Sequence, residues 1–209
     1  LSTIRSSGVI PVLRAATVDE AEQAIAAIVA GGITVIEITM TTPSAIDLID
    51  KYAARPGLLV GAGTVLDAET ARECINAGAK FIISPSTDLD VIDHCREKDT
   101  AVMPGALTPT EIVNAWQAGA DIIKVFPAGA LGGASYLRSI KAPLPEIKLI
   151  PTGGVDLSNA AEMIKAGAEA IGVGSDLVDL KAIREGRPEE VTRTAAEYLK
   201  IVQNARQRP

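Results

Sequence analysis

Lys124 stands inside an otherwise apolar segment, Asp121–Pro127, whose composition is that of a β-strand. Period-two alternation places Ile122, Lys124 and Phe126 on one face, and the other face is also apolar. Apolar residues on both faces are typical of a parallel strand that is covered on both sides. An ammonium group is costly to bury unless it is paired or loses its proton. The segment therefore indicates a functional amine, and the alternative is a lysine that points to solvent from an edge strand.

Glu37 is the second charged residue within an apolar strand-like segment, Ile36–Thr41. Alternation directs Glu37, Thr39 and Thr41 to one face and the isoleucines to the other. If this strand belongs to a closed barrel, its inward carboxylate has no evident structural purpose. Glu37 is therefore a candidate general base.

Two glycine-rich segments follow apolar strands in the last third of the chain, Pro151–Val155 and Gly172–Ser175. Glycines at such positions expose backbone N–H groups, which is how many phosphate sites are built. A third segment, Gly61–Thr64, would leave room for a ligand and place the Thr64 hydroxyl beside it. The alternative for each segment is an ordinary tight turn.

The composition argues against several classes of function. The chain of 209 residues is 47% hydrophobic with a formal net charge of −6, and it has no basic stripe, so nucleic acid is not an expected partner. Every apolar run is too short to cross a membrane. A single histidine, His94, rules out a multi-histidine zinc site, and no metal or other cofactor is expected. Cys74 and Cys95 lack a CxxC spacing and are expected to be reduced thiols in a cytoplasmic protein.

Short apolar segments alternate with amphipathic ones along the whole chain, which predicts a parallel sheet with helices on its outside. The predicted strands are Val9–Leu13, Val35–Thr39, Leu58–Gly61, Phe81–Ser84, Ala101–Pro104, Ile122–Phe126, Lys148–Pro151 and Ala170–Val173. The predicted helices include Asp19–Ala30, Ala45–Ala54, Ala68–Ala77, Leu89–Lys98, Pro109–Ala118, Ser158–Ala166 and Pro188–Ala205.

An internal repeat favours a closed barrel over an open sheet. Four segments, which begin at Ala30, Ala77, Ala118 and Ala166, end a helix with Ala-Gly and turn directly into a strand. They precede every second predicted strand at a near-constant spacing. This regularity predicts a single (β/α)8 TIM barrel over residues 1–209, with its chemistry at the C-terminal ends of the strands.

Seven motifs at those strand ends together resemble one known family. They are Ile36-Glu-Ile-Thr, Gly61-Ala-Gly-Thr-Val, Ser84-Pro85, Met103-Pro-Gly, Lys124-Val-Phe-Pro-Ala, Pro151-Thr-Gly-Gly-Val and Gly172-Val-Gly-Ser. The chain resembles the 2-keto-3-deoxy-6-phosphogluconate (KDPG) and 4-hydroxy-2-oxoglutarate (KHG) aldolase family over nearly its whole length. The resemblance implies a class I, metal-free (β/α)8 aldolase, usually a homotrimer, whose small-molecule partners are a phosphorylated 2-keto acid and pyruvate.

The resemblance also assigns roles to single residues. Lys124 matches the Schiff-base lysine and Glu37 matches the general acid/base of the family. Thr64 and Phe126 match substrate-contacting residues, and Thr152, Gly153, Gly154, Gly174 and Ser175 match the phosphate loops. Arg14, Thr41 and Pro85 are further candidates for substrate binding.

One departure from the family pattern concerns the substrate carboxylate. Some members bind the substrate with an arginine four residues after the catalytic glutamate, where this chain has Thr41. Arg14 ends the first predicted strand and shares inward parity with Val12, so we expect it to hold the carboxylate, with Thr41 adding at most a hydroxyl. The alternative is a solvated arginine or one paired with Glu20.

The implied reaction is attack of the Lys124 amine on the C2 ketone, which gives an imine that accepts electrons when C3–C4 breaks. Glu37 would exchange a proton with the C4 hydroxyl, directly or through a water. The products from KDPG would be pyruvate and glyceraldehyde 3-phosphate, and those from 4-hydroxy-2-oxoglutarate would be pyruvate and glyoxylate. Alternatives are the galactonate epimer as substrate, a phosphate-binding isomerase or synthase, and a non-catalytic phospho-ligand binder.

Overall fold

The computed structural model describes residues 1–207 and consists of strands and helices that alternate along the chain. The strands are β1 (Val9–Leu13), β2 (Val35–Thr39), β3 (Leu59–Gly63), β4 (Phe81–Ile83), β5 (Ala101–Met103), β6 (Gly105–Ala106), β7 (Ile123–Val125), β8 (Leu149–Pro151) and β9 (Ile171–Val173). The helices are α1 (Ser2–Ser7), α2 (Val18–Ala30), α3 (Ala45–Ala53), α4 (Ala68–Asn76), α5 (Leu89–Glu97), α6 (Pro109–Gln117), α7 (Ala134–Lys141), α8 (Ala160–Lys165), α9 (Leu180–Arg184) and α10 (Pro188–Gln207).

Every predicted strand and helix is confirmed, with bounds within two residues of those expected. Several helices begin where a side chain accepts a hydrogen bond from the first turn, as Thr17 does from the N–H of Glu20 at 3.2 Å. Four elements were not predicted from the sequence: α1, α7, α9 and the short strand β6. The start of α7 is obscured by Gly132 and Gly133, whose φ angles of 96° and 57° form a turn before the helix.

All strand pairs are parallel, and their hydrogen bonds form two sheets. The larger has the order β5-β4-β3-β2-β1-β9 and the smaller the order β6-β7-β8. Pro104 separates β5 from β6 and has no N–H to donate, so the ladder is interrupted there. Isolated bridges join Leu149 to Ala168 and Thr152 to Gly172 at the other boundary. The prediction of a parallel α/β fold is confirmed, whereas the eight strands expected in one continuous barrel sheet are divided between two sheets.

Buried apolar side chains form two separate clusters. The larger lies between strands and helices and includes Ile36 and Ile38. The smaller consists of Ile4, Ile10, Val35, Phe81, Ile83, Met103, Ile122, Ile150 and Ala170. Because Val35 and Ile122 precede Glu37 and Lys124 by two residues, both charged side chains share a strand face with this smaller cluster. The cluster therefore forms an apolar floor beneath them.

Within residues 1–207, no helix is both long and apolar enough to span a membrane.

Candidate active site

A cleft of about 420 Å³ opens at the C-terminal ends of the strands. Ten of the twelve predicted site residues line it: Arg14, Thr64, Pro85, Lys124, Phe126, Thr152, Gly153, Gly154, Gly174 and Ser175. Glu37 lies buried in the strand β2, and Thr41 is exposed outside the cleft lining. Residues from both sheets therefore meet at one place.

Lys124 is the central residue of β7 and is paired with Gly105 on β6 and Ile150 on β8. The whole residue is only 5% exposed, although it lines the cleft. Its Nζ lies 5.2 Å from the centroid of the Phe126 ring. Since β7 is flanked by a strand on each side, the alternative of a solvent-facing lysine on an edge strand is wrong. The structure thus has a buried primary amine that is accessible from the cleft.

Glu37 lies on β2 between Val12 of β1 and Gly61 of β3, and it is 1% exposed. Its carboxylate packs against Gly63, where a Cβ would overlap Oε1. Oε1 is buried and has no hydrogen-bond partner among residues 1–207. A buried oxygen without a partner is costly, so the site can accept a hydrogen bond from a substrate hydroxyl or a water.

Burial raises the pKa of Glu37 above its ordinary value, and the nearby cationic groups of Lys124 and Arg14 oppose this rise. Burial is the largest of these effects because Glu37 is buried and its Oε1 has no hydrogen-bond partner among the described residues. A carboxyl group with a raised pKa keeps its proton to a higher pH than a solvated glutamate does. Glu37 therefore has the electrostatics of a general acid/base.

Glycines create the space that these polar groups occupy. A side chain at Gly61 would overlap the ring of Phe81 in the apolar floor, and one at Gly172 would overlap the hydroxyl of Thr152. A Cβ at Gly105 would overlap the backbone of Pro85. The space at Gly61–Thr64 could be predicted from the sequence. The packing at Gly105 and Gly172 could not, because those contacts join different strands.

The two glycine-rich loops predicted to bind phosphate face the same cleft. Gly153 and Gly154 have φ angles of 81° and 76°, a conformation that favours glycine. The loop is held by backbone bonds from Ala128 N to Thr152 O at 2.9 Å and from Gly129 N to Gly153 O at 2.8 Å. The bridge between Thr152 and Gly172 brings the second loop beside the first. The arrangement offers backbone N–H groups and the Ser175 hydroxyl to an anion.

Two acidic residues that the sequence analysis missed also line the cleft, Asp156 and Asp176. Asp156 accepts hydrogen bonds from the Ser158 hydroxyl at 2.5 Å and from the Ser158 N–H at 2.8 Å. These bonds, the hydroxyl first, hold the pKa of Asp156 below its ordinary value. Asp176 accepts a hydrogen bond from the hydroxyl of Tyr198. The one signal in the sequence was that each aspartate directly follows a glycine-rich motif.

Arg14 and Thr41, the two candidates for the substrate carboxylate, differ in position. The Thr41 hydroxyl lies 2.7 Å from that of Thr39. Arg14 lines the cleft and an adjoining groove that also contains Gly174 and Ser175. Glu20 is paired with Arg184 at 3.6 Å, and Arg14 is exposed, as the alternative of a solvated arginine expects. Arg14 is therefore a cation beside the predicted phosphate loop.

The described residues include no cluster of three or more His, Cys, Asp or Glu side chains that could hold a metal ion. The chemistry available in the cleft is that of a buried amine, a buried carboxyl group and a set of anion-binding donors. An amine and an acid/base group are what imine formation with a keto acid requires.

Comparison with known proteins gives one family and several close relatives. The family model for KDPG and KHG aldolase matches residues 1–194. A 2-dehydro-3-deoxy-phosphogluconate aldolase of Treponema pallidum is 34% identical over 93% of each chain. A 2-dehydro-3-deoxy-6-phosphogalactonate aldolase of Escherichia coli is 35% identical over 94% of this chain and 95% of the relative. A crystal structure of KDPG aldolase from Legionella pneumophila, with pyruvate captured as a covalent carbinolamine intermediate, is 30% identical and superposes with a TM-score of 0.86 over 93% of this chain and 95% of that one.

Proposed function

Because the chain belongs to the KDPG and KHG aldolase family, we propose that it cleaves KDPG to pyruvate and glyceraldehyde 3-phosphate through an imine on Lys124. As a member of this family it is an aldolase, and hence a carbon–carbon lyase. The observation that carries the proposal is the buried amine of Lys124. It lines the cleft and is close enough to interact electrostatically with the carboxyl group of Glu37.

The first half of the reaction forms the imine. The unprotonated Nζ of Lys124 attacks the C2 ketone to give a carbinolamine, and loss of water gives the protonated imine. Breaking C3–C4 then leaves its electron pair on C3, where it is delocalised onto the imine nitrogen as an enamine. The apolar floor beneath Lys124 excludes bulk water from this side of the reacting atoms.

Glu37 exchanges a proton with the substrate while C3–C4 breaks. Its carboxylate takes the C4 hydroxyl proton as C3–C4 breaks, directly or through a water, and the C4 oxygen becomes the aldehyde. Protonation of C3 and addition of water to the imine then release pyruvate. The unpartnered Oε1 supports this role, because it is an acceptor that a substrate hydroxyl or a water can occupy.

We also propose that the two sheets close into a single (β/α)8 barrel. Support comes from the parallel bridges between the β8 and β9 segments and from the direct succession of β5 and β6 across Pro104. Closure would bring β7 and its lysine to face β2 and its glutamate across the barrel interior.

The substrate assignment can be tested by measuring pyruvate release from several keto acids. KDPG, its galactonate epimer and 4-hydroxy-2-oxoglutarate would be compared under the same conditions, because one relative carries the galactonate name. We expect the highest kcat/KM for KDPG. A higher value for the epimer or for the unphosphorylated acid would reassign the substrate within the family. Absence of pyruvate from all three would contradict aldol cleavage of this class.

Ser175→Asp tests the phosphate loop. The new carboxylate would lie next to a phosphate bound by the loops of Gly153, Gly154 and Ser175, and the two negative charges would repel each other. We expect kcat/KM for KDPG to fall by about 100-fold, which corresponds to a loss of about 2.7 kcal/mol in transition-state stabilisation. We expect kcat/KM for 4-hydroxy-2-oxoglutarate to fall by less than about threefold. Steady-state kinetics with both substrates measure this. Equal losses would show that Ser175 has a structural role or that phosphate binds elsewhere.

Arg14→Ala tests which anionic end of the substrate Arg14 holds. If Arg14 binds the carboxylate, KM should rise by about tenfold or more for every keto acid and for pyruvate in the condensation direction. If it binds the phosphate, as its place beside Gly174 and Ser175 favours, KM should rise only for the phosphorylated substrate. Unchanged KM values throughout would remove Arg14 from the binding site and leave the carboxylate to backbone donors.

The proposal includes a homotrimer in the cytoplasm. The family resemblance favours a trimer, and the free, buried thiols of Cys74 and Cys95 are typical of a reducing compartment. Light scattering of the purified protein would give the oligomeric state.

A further inference from the structure

One side-chain hydrogen bond connects the loop between β9 and α9 to the last helix, α10. Tyr198 on α10 is fully buried, and its hydroxyl donates a hydrogen bond to Oδ2 of Asp176. Asp176 directly follows Ser175, and both residues line the cleft. The contact therefore couples the C-terminal helix to the candidate phosphate site.

The remainder of this loop is held by its own backbone. The N–H groups of Leu177 and Val178 donate to the carbonyl of Gly174 at 3.1 and 2.9 Å. The side chains of Leu177 and Val178 are buried, whereas Ser175 and Asp176, earlier in the same loop, are exposed. The direction of the Asp176 carboxylate is thus set by Tyr198 rather than by packing around Asp176 itself.

A carboxylate at this position competes with the substrate. Asp176 carries oxygens that accept the same kind of N–H and O–H bonds as a phosphate does, and it stands next to the donors of Gly174 and Ser175. Released from its partner, the carboxylate could rotate and accept a bond from those donors. It would then repel an incoming phosphate as well as occupy its site.

We propose that Tyr198 is a positioning residue for the phosphate end of the substrate. Its hydroxyl holds the Asp176 carboxylate toward α10 and leaves the donors of Gly174 and Ser175 free. The inference rests on the phosphate site proposed above.

The second acidic residue of the cleft is restrained in a similar way. Asp156 is held by the Ser158 hydroxyl and by the N–H groups of Ser158 and Asn159. Asn159 also donates from its side chain to the Gly154 carbonyl at 2.9 Å, which ties this turn to the other glycine-rich loop. Each carboxylate at this end of the cleft therefore has donors that do not belong to the substrate site.

Tyr198→Phe is the test, because it keeps the buried ring and removes only the hydroxyl. We expect KM for KDPG to rise about five- to tenfold, the effect of one hydrogen bond, with kcat unchanged. KM for 4-hydroxy-2-oxoglutarate should stay the same, and the inhibition constant of inorganic phosphate should rise with KM for KDPG. The double variant Tyr198→Phe/Asp176→Ala should recover the wild-type KM, because no carboxylate remains to compete.

The matched control is Tyr136→Phe, which removes a hydroxyl that donates to the Leu107 carbonyl in a different loop. It should not discriminate between the two substrates. Equal losses for both substrates in Tyr198→Phe, an unchanged KM for KDPG, or no recovery in the double variant would each overturn the positioning role. If inorganic phosphate does not inhibit the wild-type enzyme and Ser175→Asp affects both substrates equally, then both the proposed phosphate site and the positioning role of Tyr198 are contradicted. Normal phosphate inhibition with an unaffected Tyr198→Phe would overturn the inference alone.

Discussion

Borohydride added together with pyruvate should inactivate the protein and leave a carboxyethyl group on the nitrogen of Lys124. In the proposed mechanism pyruvate forms the imine with Lys124, and reduction converts this imine into a stable secondary amine. Peptide mass mapping after digestion would locate the adduct. Pyruvate or borohydride alone should leave the activity intact, since each lacks one half of the trapping reaction.

Lys124→Arg should lower kcat/KM by at least about 10⁴-fold, because it keeps a cation at the site but removes the nucleophile. Lys148→Arg is the matched control, because Lys148 directly precedes the neighbouring strand β8. This variant should be as active as the wild type and should carry the same label on Lys124. An adduct on another lysine, or full trapping in Lys124→Arg, would contradict the class I mechanism on this residue.

Glu37→Gln should lower kcat by roughly 10²- to 10⁴-fold, which is the usual contribution of a general acid/base. The variant keeps the size of the side chain beside Gly63 but cannot carry a proton between substrate atoms. Imine formation on Lys124 should still be detectable with pyruvate and borohydride. Loss of trapping together with loss of turnover would place the role of Glu37 in organising the amine rather than in proton transfer.

The same substitution should change stability in a pH-dependent way. Burial raises the pKa of Glu37 in the folded protein, so the native state favours the protonated carboxyl more than the unfolded chain does. The wild type therefore loses stability as pH rises from the unfolded pKa toward the raised folded pKa. Glu37→Gln, which cannot ionise, should have a higher free energy of unfolding than the wild type at neutral pH, and this difference should disappear near pH 4. Denaturant unfolding at both pH values would show this, and equal gains at both would contradict it.

Lys124 and Glu37 could be proposed as a catalytic pair from the sequence because each residue breaks a local pattern. A lysine in an apolar strand and a glutamate between two isoleucines both conflict with the burial of their neighbours. Period-two alternation puts each charged residue on the opposite face from its adjacent apolar residues, and those adjacent residues lie in the larger of the two apolar clusters. The glycine-rich loops could be recognised for a similar reason, since their composition is unusual over four or five adjacent residues. Local information was sufficient in these cases.

What could not be predicted depends on contacts between distant segments. Asp176 meets Tyr198 only because α10 packs back against the loop after β9, 22 residues earlier. The space for the Thr152 hydroxyl comes from Gly172 on another strand. The division into two sheets likewise depends on how the ladder accommodates Pro104, whereas the repeat in the sequence indicates only that the strands are evenly spaced.

The apolar floor also has a consequence for the order in which products leave. Ile4 of α1 and Phe81 belong to this floor, and Lys124 lines the cleft, so the proposed imine would place the keto acid end of the substrate next to the floor. After cleavage the aldehyde lies nearer the entrance, while the three-carbon fragment is still covalently attached to the amine. The proposed mechanism on this scaffold is thus an ordered one: aldehyde departs first, water follows it in, and pyruvate leaves last. In the synthetic direction the same geometry makes pyruvate the obligatory first substrate.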